Sequence, residues 1–276
     1  MEPSLPPGLY IVATPIGNLS DLSPRAAETL RRADHILAED KRVTAKLLAY
    51  AGARAPMTLY HDHSSDEDRR RTLDMLAGKA VALVSDAGTP LISDPGYKLV
   101  RTARANGLSV FTIPGPCAAI AALTVAGLPT DRFLFTGFLP AKTKARRDAI
   151  GELAGLRASL VFYESGPRLA DCLADLSACL GPRDGAVVRE ISKIHEECVT
   201  GSLSELAERY EQAPPKGEIV IVVGPPPDRE PSEQDVDSAL LESLANNSPS
   251  RAAAEVAGKL GIPRKRVYAR ALELSR

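Results

Sequence analysis

Seven short runs dense in β-branched and aromatic residues recur between longer helical patterns in this 276-residue chain: LYIVAT (9–14), ALVSD (82–86), SVFTIP (109–114), FLFTGF (133–138), SLVFYE (159–164), AVVRE (186–190) and EIVIVVG (218–224). A strand wetted on one face alternates polar with apolar residues. These runs barely alternate, so helices must cover both their faces, and the chain reads as α/β with largely parallel sheets. The intervening segments carry helix punctuation. Ser23 then Pro24 is an N-cap followed by proline at the first helical position, opening RAAETLRRA. Pro95 is expected to open a helix that stops at Gly107, and Pro167 one that stops at Gly181.

Nine or more strands exceed one small sheet, and Pro114-Gly115-Pro116 is the natural break. The expected organisation is an αβα domain over 1–115, a second over 116–225 and a cleft between them. After Gly224 the sequence turns to PPPDREPSEQDVD, a stiff polar linker over 226–238. A small helical unit over 239–276 follows, with a helical pattern from Val236 onward.

Charge matters mainly in that last unit. The whole chain is almost neutral, at −1, with 44% hydrophobic and 25% charged residues, which excludes a disordered chain. Arg251, Lys259, Arg264, Lys265, Arg266, Arg270 and Arg276 nevertheless face only Glu255 and Glu273 over 251–276. Two short helices joined at Gly261-Ile262-Pro263 either set this basic face on nucleic-acid phosphates, through Arg251, Lys259, Arg264, Lys265, Arg266 and Arg270, or form a small cap with a solvated surface. Cys117, Cys172, Cys179 and Cys198 have neither zinc-site spacing nor the density of a disulfide scaffold. With no signal-peptide pattern at the start and no apolar run of transmembrane length, a cytoplasmic protein is expected.

Three Gly/Pro-rich segments directly follow strand runs: Ala13 to Leu19, Ser85 to Gly96, and Pro114 to Ala119. Carboxyl ends of parallel strands are where α/β sheets bind ligands, so the three point to one pocket. None carries GxGxxG or GxxxxGK[ST], so a dinucleotide or nucleoside triphosphate has no motif support. His61 and His63, in YHDHSSDEDR, lack a complete ligand set, and no metal is expected.

TPIGNLSDLSPRAAETL, the stretch Glu39-Asp40-Lys41-Arg42, SDAGTPLISDPGY, IPGPCAA, GLPTDRFLFTGFLPAK and REISKIHEE together resemble the tetrapyrrole-methylase superfamily, over almost the whole chain. Within it they are most similar to the bacterial branch that methylates a cytidine 2'-hydroxyl of small-subunit ribosomal RNA. The resemblance implies two αβα domains with S-adenosyl-L-methionine in the cleft between them, a homodimer, and a decoding-centre cytidine of 16S rRNA as acceptor. It places donor contacts on Thr14, Pro15, Ile16, Gly17 and Asn18, and on Asp86, Ala87, Gly88, Thr89, Ile92, Ser93 and Asp94. Pro114, Gly115, Pro116 and Ala119 fall beside the adenosine, and Phe162, Tyr163 and the strand from Glu218 to Val223 cover it.

A hydroxyl is a weak nucleophile until its proton is removed or shared. Glu39, Asp40, Arg42, Glu164, Arg189, Glu190 and Lys193, all near strand ends, are the candidate acid–base and orienting groups. Each has a plain alternative as a structural ion pair. Lys193 serves either as a base, if desolvated, or as a phosphate contact. Two positions depart from the family pattern: Lys41 replaces a small polar residue, and Gly166-Pro167 stands where proline and histidine are usual. Catalysis is therefore not placed on a histidine there. The competing readings are methylation of a tetrapyrrole ring and a ribosome-associated binding protein without turnover.

Overall fold

The computed structural model describes residues 4–61, 66–213, 215–227 and 232–275, which part into two compact units, Met1–Pro226 and Pro227–Arg276. The first unit opens with β1 (Gly8–Val12), α1 (Pro24–Arg32), β2 (His35–Ala38), α2 (Lys41–Ala51), β3 (Met57–Leu59), α3 (Asp66–Gly78), β4 (Ala80–Val84), α4 (Tyr97–Ala105) and β5 (Val110–Ile113). Its strands form an all-parallel sheet in the order β3-β2-β4-β1-β5. Both faces are dry. Tyr10, Val12, Ile36, Ala82 and Val84 pack under α1 and α2, while Leu9, Ile11, Leu37, Val81 and Leu83 pack under α3 and α4. Double-sided cover explains why the strand runs lack alternation. Ser23 caps α1 as expected, its hydroxyl accepting from the Ala26 N–H at 3.1 Å.

The chain then leaves this sheet through 114–117. It continues as α5 (Ala118–Val125), β6 (Phe133–Phe138), α6 (Thr143–Gly151), β7 (Ser159–Ser165), α7 (Leu169–Leu180), β8 (Asp184–Arg189), β9 (Glu197–Ser202), α8 (Leu203–Gln212) and β10 (Glu218–Val223). Here the order is β6-β7-β10-β8-β9, with α6, α7 and α8 on one face and α5 on the other. Only β6 and β7 pair in parallel. β10 runs antiparallel to β7 and β8, and β9 antiparallel to β8, so the expectation of largely parallel sheets fails for the second sheet. Burial on both faces gives the same apolar run for either direction, so composition could not reveal it.

Two helix starts also move. Pro95 precedes α4 by two residues, because Gly96 at φ 132° is the non-helical cap, and α4 ends at Ala105 before Gly107. Pro167 sits in a 3-10 turn, Gly166–Arg168, that runs into α7.

The second unit contains α9 (Glu233–Leu244), α10 (Pro249–Leu260) and α11 (Arg264–Leu274). α9 begins three residues before Val236, inside the stretch read as linker, because Ser232 and Asp235 form a reciprocal capping box. Val236, Leu240, Ala252, Ala253, Val256, Val267 and Ala271 make the core. Its many alanines let the helices approach closely.

Candidate active site

Since β1, β2, β4 and β5 are parallel, the loops after all four leave the same edge of the first sheet. β6, β7 and β8 share one direction and β10 opposes it, so three carboxyl ends and the start of β10 share an edge of the second. A cleft of about 250 Å³ lies between these edges. From the first sheet it is lined by Ile16, Glu39, Asp86, Ala87, Gly88, Thr89, Ile92, Ser93 and Asp94. Cys117 and Ala118 at the start of α5 join Phe138, Tyr163, Glu164, Glu190, Ile191, Lys193 and Glu218 to Val220 on the other side.

Backbone bonds hold the first wall. Thr14 and Gly88 exchange N–H···O bonds of 2.8 and 3.1 Å, locking the loop after β1 to the loop after β4. The Thr89 hydroxyl donates to the Pro116 carbonyl at 2.9 Å, adding the loop after β5. Thr14 and Pro116 therefore tie the loops of this wall together, and none of Thr14, Pro15, Pro114, Gly115 and Pro116 is among the residues that line the cleft. Asn18 caps the 3-10 turn Leu19–Asp21, its side chain accepting from the Ser20 N–H at 3.0 Å.

Strained residues cluster in the two facing loops. Leu91 and Ser93 after β4 hold φ of 74° and 66°, and Glu190 and Ser192 after β8 hold 51° and 66°. Such conformations cost on the order of 1–3 kcal/mol each and persist only where surroundings enforce them. Around Ser192 they do. Its N–H donates to Glu196 at 2.6 Å, its hydroxyl donates to Asp21 in the turn after β1, and Lys193 pairs with Glu190 at 3.0 Å.

Gly17 sits against this loop with no room for a side chain: a Cβ there would lie 2.7 Å from Lys193 Cγ and 2.8 Å from the Ile191 carbonyl oxygen. Gly17→Ala should therefore displace Lys193 and the backbone at Ile191 and lower catalytic efficiency by about tenfold or more, as small misplacements do. Steady-state kinetics with unchanged thermal unfolding would check it.

The cleft is acidic. Asp94 is pushed up to about 6, first by burial and then by the nearby Glu39, Asp86 and Glu218 carboxylates, against a hydrogen bond from Ser85. Asp86 accepts from the Asp40 N–H at 3.0 Å, and its own N–H reaches Glu39 at 3.3 Å. Tyr163 is raised chiefly by burial, which keeps its hydroxyl protonated, and the Ala119 N–H donates to that oxygen at 3.2 Å.

Several expected site residues lie elsewhere. Phe162 points away from the cleft into the α6–α7 core and is fully buried, because adjacent strand residues face opposite sides and Tyr163 takes the cleft side. Asp40 caps α2 and chelates Arg42 (2.6 Å), whose hydrogen bonds hold the carboxyl down at about 2. Such an acid is a poor proton acceptor, and Arg42 is 90% exposed. Arg189 pairs with Glu197 across the β8–β9 ladder at 2.5 Å. In the second unit Arg270 is occupied by Asp237 and Glu273, each at 2.6 Å, and Lys259 lies 3.9 Å from Glu242. Arg264 bonds Ser250, while Arg251, Lys265 and Arg266 are exposed.

Phe138 and Ile191 were not anticipated as lining residues. The glycine inside FLFTGF was a signal for the first, because a strand glycine marks a bulge. Among the described residues no group of three or more His, Cys, Asp or Glu could hold a metal ion; His63 lies outside them. No helix among them is long and apolar enough to cross a membrane.

Residues 8–207 match the family described as Tetrapyrrole (Corrin/Porphyrin) Methylases, and residues 230–275 match the RsmI C-terminal HTH domain. A ribosomal RNA small subunit methyltransferase I of Erythrobacter litoralis is 55% identical, over 98% of this chain and 96% of that protein. Its namesake from Escherichia coli O157:H7 is 44% identical over 96% and 94%. Diphthine synthase superposes with a TM-score of 0.62 at 16% identity, covering 78% of this chain and 89% of its own. Uroporphyrin-III C-methyltransferase from Thermus thermophilus, complexed with S-adenosyl homocysteine, gives 0.53 at 22%, covering 79% and 97%. At these identities the structural likeness concerns the fold.

Proposed function

Because the chain belongs to the tetrapyrrole methylase family, and within it groups with the small-subunit ribosomal RNA methyltransferases, we propose that it methylates the 2'-hydroxyl of a decoding-centre cytidine in 16S rRNA, using S-adenosyl-L-methionine. The observation that carries this reading is likeness at 55% identity over 98% of the chain, cleft and helical unit together.

The cleft suits that donor. Glu39, Asp86, Asp94 and Glu218 set carboxylates around a space walled by Ile16, Ile92, Ile219, Val220 and the Tyr163 ring, which fits a cation joined to an apolar, flat group. When bound, S-adenosyl-L-methionine supplies an electrophilic methyl group on a sulfonium. Asp86, oriented by the Asp40 N–H, is placed to hold the donor's ammonium, and Ala118, Tyr163 and Val220 to cover its adenine. Asp94 is the carboxylate we place at the reacting centre. As the ribose oxygen takes the methyl group, its proton passes to Asp94, whose raised affinity for protons suits it better than an ordinary carboxylate. The fixed dipoles of the strained loops do the remaining electrostatic work.

An acidic cleft in a chain of net charge −1 is poorly suited to gripping naked RNA. The substrate is therefore the assembled small subunit, with the nucleotide locally extruded and the exposed Arg251, Lys265 and Arg266 meeting phosphates. Replacing these three by glutamine should raise KM for subunits and flatten the log–log salt dependence by about two to three units. The β6 edge, with Phe133 43% and Leu134 37% exposed, fits a second copy of the chain and so supports a homodimer. Radiolabelled methyl transfer to small subunits, protein-free 16S rRNA and a uroporphyrinogen tests the whole reading. Subunits should be the preferred acceptor, and transfer to the tetrapyrrole alone would refute it.

A further inference from the structure

The FLPAK stretch that ends β6 has no part in donor binding as described above, yet its first residue lines the cleft. Phe138 is 53% exposed, which means little for a lone surface aromatic. Its placement is what singles it out. The β6–β7 register shifts between Phe135 and Gly137, and Gly137 holds φ +68°, so the bulge turns Phe138 onto the cleft wall. A Cβ at position 137 would lie 2.8 Å from Ser93 Oγ, so this strand end rests against the loop that carries Asp94. The Phe138 ring meets the edge of Tyr163 at 5.6 Å, and Tyr163 is backed by Phe135 at 4.8 Å.

The following backbone is pinned. Arg168 donates to the Leu139 carbonyl at 2.7 Å while reaching Glu164, a fully buried carboxylate, at 3.1 Å. Arg146 donates to the Ala141 carbonyl at 3.4 Å. Lys142, exposed at the start of α6, pairs with no carboxylate among the described residues, whereas Lys144 is held by Asp148.

We propose that Phe138–Lys142 is the acceptor-nucleotide subsite, with the Phe138 ring as the stacking surface for the target base and Lys142 at a flanking phosphate. This rests on the ribosomal RNA reading above. A donor of small-molecule size can settle deep in the cleft, among Gly88, Ala118 and Val220. A nucleotide still joined to its chain must enter at the mouth and leave its phosphates outside. An extruded base loses its stacking partners, and an aromatic face next to the reacting carboxylate replaces one of them. The exposed lysine four residues later is assigned to that backbone charge.

The test compares Phe138→Ala, Phe138→Trp and Lys142→Ala as full chains, measuring donor affinity by calorimetry and KM and kcat on small subunits. Phe138→Ala should leave the donor Kd within about twofold and raise subunit KM by about tenfold or more, with most of the loss rescued by tryptophan. Lys142→Ala should reduce the salt slope by about one. Weakened donor binding at unchanged subunit KM would assign Phe138 to the donor instead, and a dimer lost in Phe138→Ala would assign it to a partner copy. Either result, or variants indistinguishable from wild type, overturns the proposal alone. A wild-type protein that binds donor but methylates no small subunit overturns the functional reading together with it.

Discussion

Asp94→Asn should abolish most methyl transfer while making the protein more stable near neutral pH. With the Asp94 carboxyl at about 6, kcat/KM of the wild type is expected to rise through pH 5–7 with a midpoint near 6. The groups that set this midpoint are Glu39, Asp86, Glu218 and Ser85, with burial the largest cause. In the donor complex the added positive charge favours ionised Asp94, so the corresponding limb of kcat lies lower. Asparagine removes the limb from both profiles. The stability effect follows from linkage. A carboxyl that titrates higher folded than unfolded contributes its stabilisation below the unfolded value of about 3.8 and loses it as pH rises through 6. Ionised Asp94 therefore opposes folding at pH 7, and Asp94→Asn should raise Tm by a few degrees there, but not at pH 3.5. Loss of activity with Tm lowered at both pH values would instead make Asp94 a structural residue.

The second large effect is on stability. Asp175 receives Arg146 Nε and Arg147 Nε, each at 2.6 Å, and the Arg146 and Asp175 side chains are only 4% and 3% exposed. Removing one member of such a buried pair leaves an uncompensated charge, at a cost of about 3–5 kcal/mol. For a unit of this size Asp175→Ala should lower Tm by roughly ten degrees. Replacing Arg146 and Asp175 together by leucine should recover most of it, because two apolar side chains need no partner. The same arginine reaches the Ala141 carbonyl, so the single variant should also raise KM for the acceptor by loosening the loop below Phe138. An Asp175→Ala protein melting within a degree of wild type would contradict this account. Thermal unfolding read by circular dichroism suffices.

Both effects depend on side chains whose importance was unevenly legible in the sequence. The seven apolar runs all became strands; double-sided burial leaves a plain signature in β1, β4, β7, β8 and β10, while β5 and the edge strand β6 carry the same apolar character with part of it exposed. β2, β3 and β9 were missed for different reasons. HILA is only four residues long, β3 is a three-residue edge, and ECVTGS is a partly wet edge strand with only Cys198 and Val199 packed against apolar clusters. The direction of β10 is set by the β8–β9 hairpin and α8, which a run of valines and isoleucines does not encode. The site loops were visible because glycine and proline are dense just after strands. Asp94 was visible as a polar group in such a loop, but its burial was not. Phe162 and Tyr163 are neighbours of similar character, and only the pleat decides which one enters the cleft. Phe138 and Ile191 line it through a bulge and through positive φ at Glu190 and Ser192, which depend on contacts between sequence-distant loops. The basic count of the second unit was correct as composition, yet Arg270 is spent on Asp237 and Glu273.

The measurement closest to the central claim is nucleoside mass spectrometry of 16S rRNA after purified small subunits lacking the modification are incubated with the protein and S-adenosyl-L-methionine. The account expects one 2'-O-methylcytidine at a decoding-centre position, absent without donor and absent with Asp86→Ala. Methylation on a base, on a different nucleotide, or none at all by a protein that binds the donor would contradict it.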